Sequence, residues 1–193
     1  MSLAKIHTKI GHIFDHHWSR DVAFRVLTRS DIFPLFMATK NAEFNKSLLW
    51  SAPEKEEELA PQVDKLIREH QLQRSVALSV VDRNDGTWKG MAIFKSYRDG
   101  VEVSLYLHPS TWGRGTVVSA GIALTRLISR EIPEVPIYNR IKEGNELMQK
   151  VNRHMGYVKI DKEVLVHHHG HDVPVDVYVH QPQTTPIKGV GEY

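Results

Sequence analysis

Apolar positions along the chain alternate between two spacings, and the changes of spacing mark out the elements. Residues 22–28 (Val-Ala-Phe-Arg-Val-Leu-Thr) alternate as a strand does. Ser30 and Asp31 can then cap a helix over 32–39. Residues 45–53 show neither spacing and are expected to form a loop. From 54 to 70 the spacing is helical, with Leu59, Val63, Leu66 and Ile67 on one face. Glu54, Glu56, Glu57 and Glu58 crowd its start and Lys65, Arg68 and His70 its end, as the helix dipole favours. Residues 75–81, 88–97 and 101–108 read as three consecutive strands. Asn84-Asp85-Gly86 and Arg98-Asp99-Gly100 are the turns between them, which predicts an antiparallel meander.

Pro109 stops the third of these strands. A helix over 116–130 follows, with Ile122, Leu124, Leu127 and Ile128 inward. Then come a strand over 135–141, a helix over 144–154 and strands over 157–166 and 173–180. The order β-α-α-β-β-β-α-β-α-β-β predicts an α/β (α+β) fold: a mixed, mostly antiparallel sheet flanked by helices. Ile6, Ile10, Ile13 and Phe14 suggest an arm or short helix over 1–20, ahead of a domain over 21–181. Residues 182–193 are expected to be a loose tail.

Composition narrows the function. The 193 residues are 41% hydrophobic and 25% charged, enough for a packed core. No apolar run approaches the roughly 20 residues of a membrane helix, and none follows Met1 as a signal core. A cytoplasmic protein with no membrane partner is expected. There is no cysteine, which excludes disulfides, thiolate metal sites and a cysteine nucleophile. The net charge of +2 gives no electrostatic case for nucleic acid. Twelve histidines stand out, seven of them in two groups: His12, His16 and His17, and His167-His168-His169-Gly170-His171. Neither has a His-Glu-x-x-His spacing, and adjacent histidines on a strand point to opposite faces. The second group is expected to be an exposed polar turn, and no metal site is expected.

The candidate chemistry sits between 105 and 118. Leu-Tyr-Leu-His-Pro-Ser-Thr-Trp-Gly-Arg-Gly-Thr-Val-Val is a strand, a stop, a Gly-x-Gly turn and a helix start. Glycines let successive N–H groups face one concavity, and a helix N-terminus adds unpartnered N–H groups and partial positive charge. Such a turn suits a phosphate or diphosphate, with Arg114 as an added cation; the same pattern also makes a tight strand-to-helix turn that binds nothing. It is neither a Walker A loop nor a dinucleotide fingerprint, because the lysine and the third glycine are missing.

The stretch Val101-Glu102-Val103-Ser104-Leu105-Tyr106-Leu107-His108-Pro109-Ser110-Thr111-Trp112-Gly113-Arg114-Gly115, followed by Asn145 and Gly156-Tyr157, resembles the GCN5-related N-acetyltransferase (GNAT) family. It is most similar to the RimJ/RimL-like branch, over about residues 20–180. The resemblance implies an acetyl-CoA-dependent N-acetyltransferase acting on a primary amine, either a protein N-terminus or a small amine. A coenzyme A- or protein-binding relative without turnover is the alternative, and self-association as a homodimer is left open. It implies that main-chain N–H groups of Gly113, Arg114, Gly115, Thr116, Val117 and Val118 hold the diphosphate of coenzyme A. It further implies that Leu105 and Leu107 pair with the pantetheine arm and that Asn145 bonds it from the other side. Two departures stand out: Trp112 replaces glutamine or arginine, and Val117 replaces a small residue. Glu102 is the implied general base, with His108 as its rival. The tyrosine that many members place seven residues after the asparagine is Asn152 here, and the branch's serine is Met148. Tyr138 or Tyr157 is left as a substitute proton donor. Lys150 and Arg153 are candidates for the 3′-phosphate.

Overall fold

The computed structural model describes residues 22–113, 115–166 and 172–181. Seven strands make one sheet: β1 (Val22–Val26), β2 (Ser75–Asp82), β3 (Trp88–Tyr97), β4 (Gly100–Leu107), β5 (Ile137–Lys142), β6 (Val158–Val166) and β7 (Asp172–His180). Their spatial order is β1-β2-β3-β4-β5-β7-β6. Five helices flank it: α1 (Ile32–Thr39), α2 (Ala42–Ser47), α3 (Ala60–Gln71), α4 (Thr116–Glu131) and α5 (Glu146–His154). The expected meander is β2–β4, paired antiparallel throughout. The expected mixed sheet is also present: β4 and β5 run parallel, because α4 carries the chain back before β5 begins.

Helices cover the two faces unequally. On one face, Ala120, Leu124, Leu127 and Ile128 of α4 pack on Val101, Val103 and Ile137. On the other, Leu35 of α1 and Leu59 and Val63 beside and within α3 pack on Ala77, Met91 and Ile93. β2 therefore has protein on both sides, and seven of its eight residues are buried. That explains its near-continuous apolar run in an antiparallel setting. Over β5–β7 the second face carries no described helix. Tyr138, Val177 and Val179 make a small cluster there with Tyr97.

Three expectations need correction. Part of the expected loop over 45–53 belongs to helix α2. Asn41 caps it, its side-chain oxygen accepting from the N–H groups of Glu43 (3.0 Å) and Phe44 (3.1 Å). Phe44, only 1% exposed, anchors it. A helix of six residues is too short to show a period. Second, α3 begins at Ala60 rather than 54. Glu56–Glu58 form a separate 3-10 turn, and Pro61 lies in the first turn of α3. Third, Asp31 precedes α1 but makes no side-chain cap to it. Its carboxylate, 1% exposed, instead accepts from Arg25 (2.8 Å), the Thr28 N–H (2.8 Å) and the Ser79 hydroxyl (2.7 Å). Burial alone would push this carboxyl up, but those donors outweigh it and hold it below the usual carboxylate range. The expected arm over 1–20, the tail over 182–193, Arg114 and both histidine groups lie outside the described residues.

Candidate active site

The parallel ladder between β4 and β5 runs only through Val101–Ile137 and Glu102–Tyr138. Past those pairs the strands diverge. The base of the fork is tight: the Val101 N–H donates to the Pro136 carbonyl at 3.0 Å, and a Cβ on Gly100 would stand 2.1 Å from that same oxygen. Only glycine fits there. By strand alternation the main-chain groups of Leu105 and Leu107 share the orientation of Val101 and face the opening. On β4's other edge, His108 donates its N–H to Lys89 of β3 at 2.7 Å.

The gap is a cleft of about 560 Å³. Ser104, Leu105, Tyr106 and Leu107 form one wall, and Asn139, Arg140 and Ile141 of β5 the other. Phe44, Ser47 and Leu49, from α2 and the segment after it, close one side. Trp112, Val117, Asn145 and Met148 close the opposite end. This is an elongated slot between unpaired strand edges, suited to an extended chain bearing amide groups.

At the far end of β4 stands the glycine turn. Gly113 and Gly115 both have φ of +75°, a left-handed conformation that favours glycine, and a Cβ on either would meet nothing within 4 Å. Ser119 is bonded to the Gly115 carbonyl at 2.9 Å as α4 begins. The N–H groups of Thr116, Val117 and Val118 therefore have no partner within the helix. Val117 packs partly on the core and walls the cleft. Trp112 donates its indole N–H to the Leu107 carbonyl at 3.1 Å, tying the turn to the strand end. Asn145 caps α5, its side-chain oxygen accepting the Met148 N–H at 3.2 Å. Its amide NH2 remains available to the cleft.

Toward the fork, the lining residue Arg140 leads to a group of side chains that lie behind the cleft wall and do not line it. Glu102 is 5% exposed, and both of its oxygens are engaged by Arg140: Nε at 2.9 Å and Nη2 at 2.8 Å. Arg140 also lies 3.6 Å from Glu163 and 4.9 Å from the centre of the Tyr97 ring. Glu163 accepts from Tyr97 and, at 2.7 Å, from Arg98. Burial alone would push Glu163 up, but these donors and the two guanidinium charges hold it below its ordinary value. Burial and the neighbouring Glu163 push Tyr97 up to about 12. Burial, with Glu102 adding to it, does the same to Tyr106.

The structure separates the expected residues. Glu102, Ser104 and Tyr106 share a face, as alternation requires, but Glu102 is not beside the glycine turn. It stands at the fork, roughly 17 Å from Leu107 at about 3.3 Å per residue. His108 does not line the cleft: its Nδ1 accepts the Ser110 N–H at 3.1 Å and caps the 3-10 turn Pro109–Thr111. Burial and nearby Lys89 lower its pKa, favouring the neutral ring. Neither tyrosine offered as a proton donor reaches the cleft. Tyr138 is 6% exposed and donates to Asp99, while Tyr157 is 4% exposed and bonded to Thr125. Asn152 is fully buried with both side-chain polar atoms unpartnered. Lys150 and Arg153 lie on the exposed face of α5. Sequence reading missed Arg140, Asn139 and the α2 wall. An arginine two residues beyond the last paired position was the available signal, but only the strand register gives it meaning. Among the described residues no group of side chains could hold a metal ion, and no helix is long and apolar enough to cross a membrane.

A forked sheet with a glycine turn and helix start at the open end defines the class. The acetyltransferase (GNAT) domain model matches residues 21–158, and the chain belongs to that family. It is an N-acetyltransferase that uses acetyl-CoA as donor. Similar solved structures include RimL, a ribosomal L7/L12 alpha-N-protein acetyltransferase in complex with coenzyme A. It is 17% identical, with 87% of this chain and 98% of that one covered and a TM-score of 0.72. The Salmonella typhimurium acetyltransferase that modifies the N-terminal serine of L7/L12 is 18% identical, covering 84% and 96%, with a TM-score of 0.70. A Vibrio cholerae spermidine N-acetyltransferase bound to coenzyme A and spermine is 16% identical, covering 83% and 95%, with a TM-score of 0.67. Among curated proteins no sequence matches.

Proposed function

We propose that acetyl-CoA lies along the slot, with its diphosphate at Gly113–Val118 and its thioester toward the fork, and that Glu102 serves as general base for a primary amine there. The observation that carries this reading is the cleft itself: β4 main chain beyond its last pair with β5 runs from the start of α4 to Arg140, which lines the cleft and holds the buried Glu102 carboxylate behind it. The main-chain groups of Leu105 and Leu107 pair with the pantetheine arm, and the Asn145 NH2 bonds it from the opposite wall.

The amine nitrogen attacks the thioester carbonyl, the C–S bond breaks, and coenzyme A leaves as thiolate. The proton shed by the amine passes to Glu102, whose two oxygens keep a lone pair each beyond their bonds to Arg140. His108 is the weaker candidate, because its Nδ1 is committed to capping. No proton donor stands at Met148 or Asn152, and none is needed for a thiolate to depart: an ordinary thiol has a pKa of about 8.5. The acceptor is a primary amine, either a small amine or a protein N-terminus. Structures of this fold include enzymes named for each.

The test is thiol release from acetyl-CoA with a panel of amines and N-terminal peptides, alongside melting curves with acetyl-CoA. Release that depends on an amine, together with a raised Tm, supports the assignment. A Tm unchanged at saturating acetyl-CoA overturns the loop assignment. A raised Tm without release for any amine overturns the proposed acceptor class. Glu102→Gln should slow turnover by about 10²–10⁴-fold while leaving acetyl-CoA affinity nearly intact. An unchanged rate removes Glu102 as base.

A further inference from the structure

We infer that Arg140 is a positioning residue for this reaction: a strap across the open fork that lines the cleft and fixes the Glu102 carboxylate directly behind it. The inference rests on the reading of Glu102 as base. The first argument is register. Backbone pairing between β4 and β5 ends at Glu102–Tyr138, and Arg140 is the next β5 residue on the same face. Where the ladder stops, a side-chain bridge takes over, joining β5 to β4 by two parallel N–H···O bonds of 2.9 and 2.8 Å. Only a guanidinium can make that fork-to-carboxylate fit; an ammonium supplies charge without the planar pair.

The second argument is support from behind. The Arg140 side chain is 21% exposed. Its guanidinium stands near the Tyr97 ring and 3.6 Å from Glu163, and both of those are engaged from outside. Tyr97 donates to Glu163, and Arg98 donates to Glu163 at 2.7 Å and to Asp161 at 2.6 Å. On this face of β5–β7 the described cluster of Tyr138, Val177, Val179 and Tyr97 includes no helix residue, so this polar network is what holds Arg140 in place. The third argument is position, since Arg140 itself lines the cleft. A carboxylate free to rotate about its side-chain bonds would present its lone pairs in many directions. Held bidentately, it presents them in one.

Four proteins test this: the unmodified protein, Arg140→Ala, Arg140→Lys, and Arg140→Ala combined with Glu102→Gln. For each, kcat, KM for acetyl-CoA and Tm are measured. The strap predicts that Arg140→Ala lowers kcat by about 10–100-fold with KM for acetyl-CoA within about twofold. Arg140→Lys should recover only a small part of the rate, and added guanidinium should restore Arg140→Ala more than added ammonium does. In the Glu102→Gln background, loss of Arg140 should cost almost nothing further. Equal rate losses in both backgrounds would overturn the strap, as would full rescue by lysine. If Glu102→Gln leaves the rate unchanged, the base reading fails; an undiminished rate in Arg140→Ala then removes Arg140 from the reaction as well. Should Arg140→Ala melt too early to assay, Arg140→Lys still decides, because it keeps the charge and loses only the planar pair of donors.

Discussion

The two ends of the cleft are made of different material. The open end, at Gly113–Val118, is main chain: left-handed glycines and the first N–H groups of α4. The fork end is side chain: Arg140 at the wall, with Glu102 and the Glu163–Tyr97–Arg98 group behind it. A main-chain site tolerates changes of side chain as long as φ is kept, and fails when φ or space is lost. A side-chain site depends on each partner. The open end suits recognition of a constant diphosphate, and the fork suits chemistry that depends on one orientation.

That contrast can be broken from either side. The largest effect is expected for Gly115→Asp, which forces a β-carbon into a left-handed position and sets a carboxylate where phosphate is proposed to lie. Acetyl-CoA affinity should fall by about 100-fold or more, on the order of 3 kcal/mol. Isothermal titration would show it, and unchanged affinity would remove the loop from the site. Asn145→Ala comes next. It removes the α5 cap and the proposed pantetheine donor together, at about 1–2 kcal/mol of stability and several-fold in KM for acetyl-CoA. A normal KM beside a lowered Tm would leave Asn145 a cap alone.

Asp31 tests whether effects spread beyond the cleft. Its folded pKa is depressed, so its contribution to stability is present above the unfolded value of about 3.9 and is lost as pH falls through the folded value. Asp31→Asn should lower Tm at pH 7, by about 1–3 kcal/mol in stability, and flatten the acid limb of Tm against pH. The rate per folded molecule should stay unchanged. The smallest effect is expected for His108→Ala, which removes a turn cap outside the cleft. A fall in kcat as large as that of Glu102→Gln would return His108 to the chemistry.

The same contrast decided what the sequence could reveal. Glycines at 113 and 115 made a left-handed turn before a helix legible, and both have φ of +75°; the spacing alone also suits a plain strand-to-helix turn that binds nothing. The meander was legible from its turns, and α4 from its apolar stripe. Glu102 stood out only through the family resemblance, and its partner did not stand out at all. Arg140 lies 38 positions away and becomes a neighbour only once β4 and β5 run parallel. Helix α2 was missed because six residues are too few to display a period and a buried Phe44 decides its place. Asp31 looked like a helix cap because its sequence neighbours allow one, yet tertiary donors from β1 and β2 claimed it.

Gly100 sits where the two diverging strands still touch, with the Pro136 carbonyl against the space a side chain would fill. It acts as the pivot of a pair of scissors. A wedge inserted at the pivot is magnified along the blades, so even alanine at 100 should alter the gap at Leu107 more than at Val101. The spacing that a donor meets is thus governed from a point it never contacts.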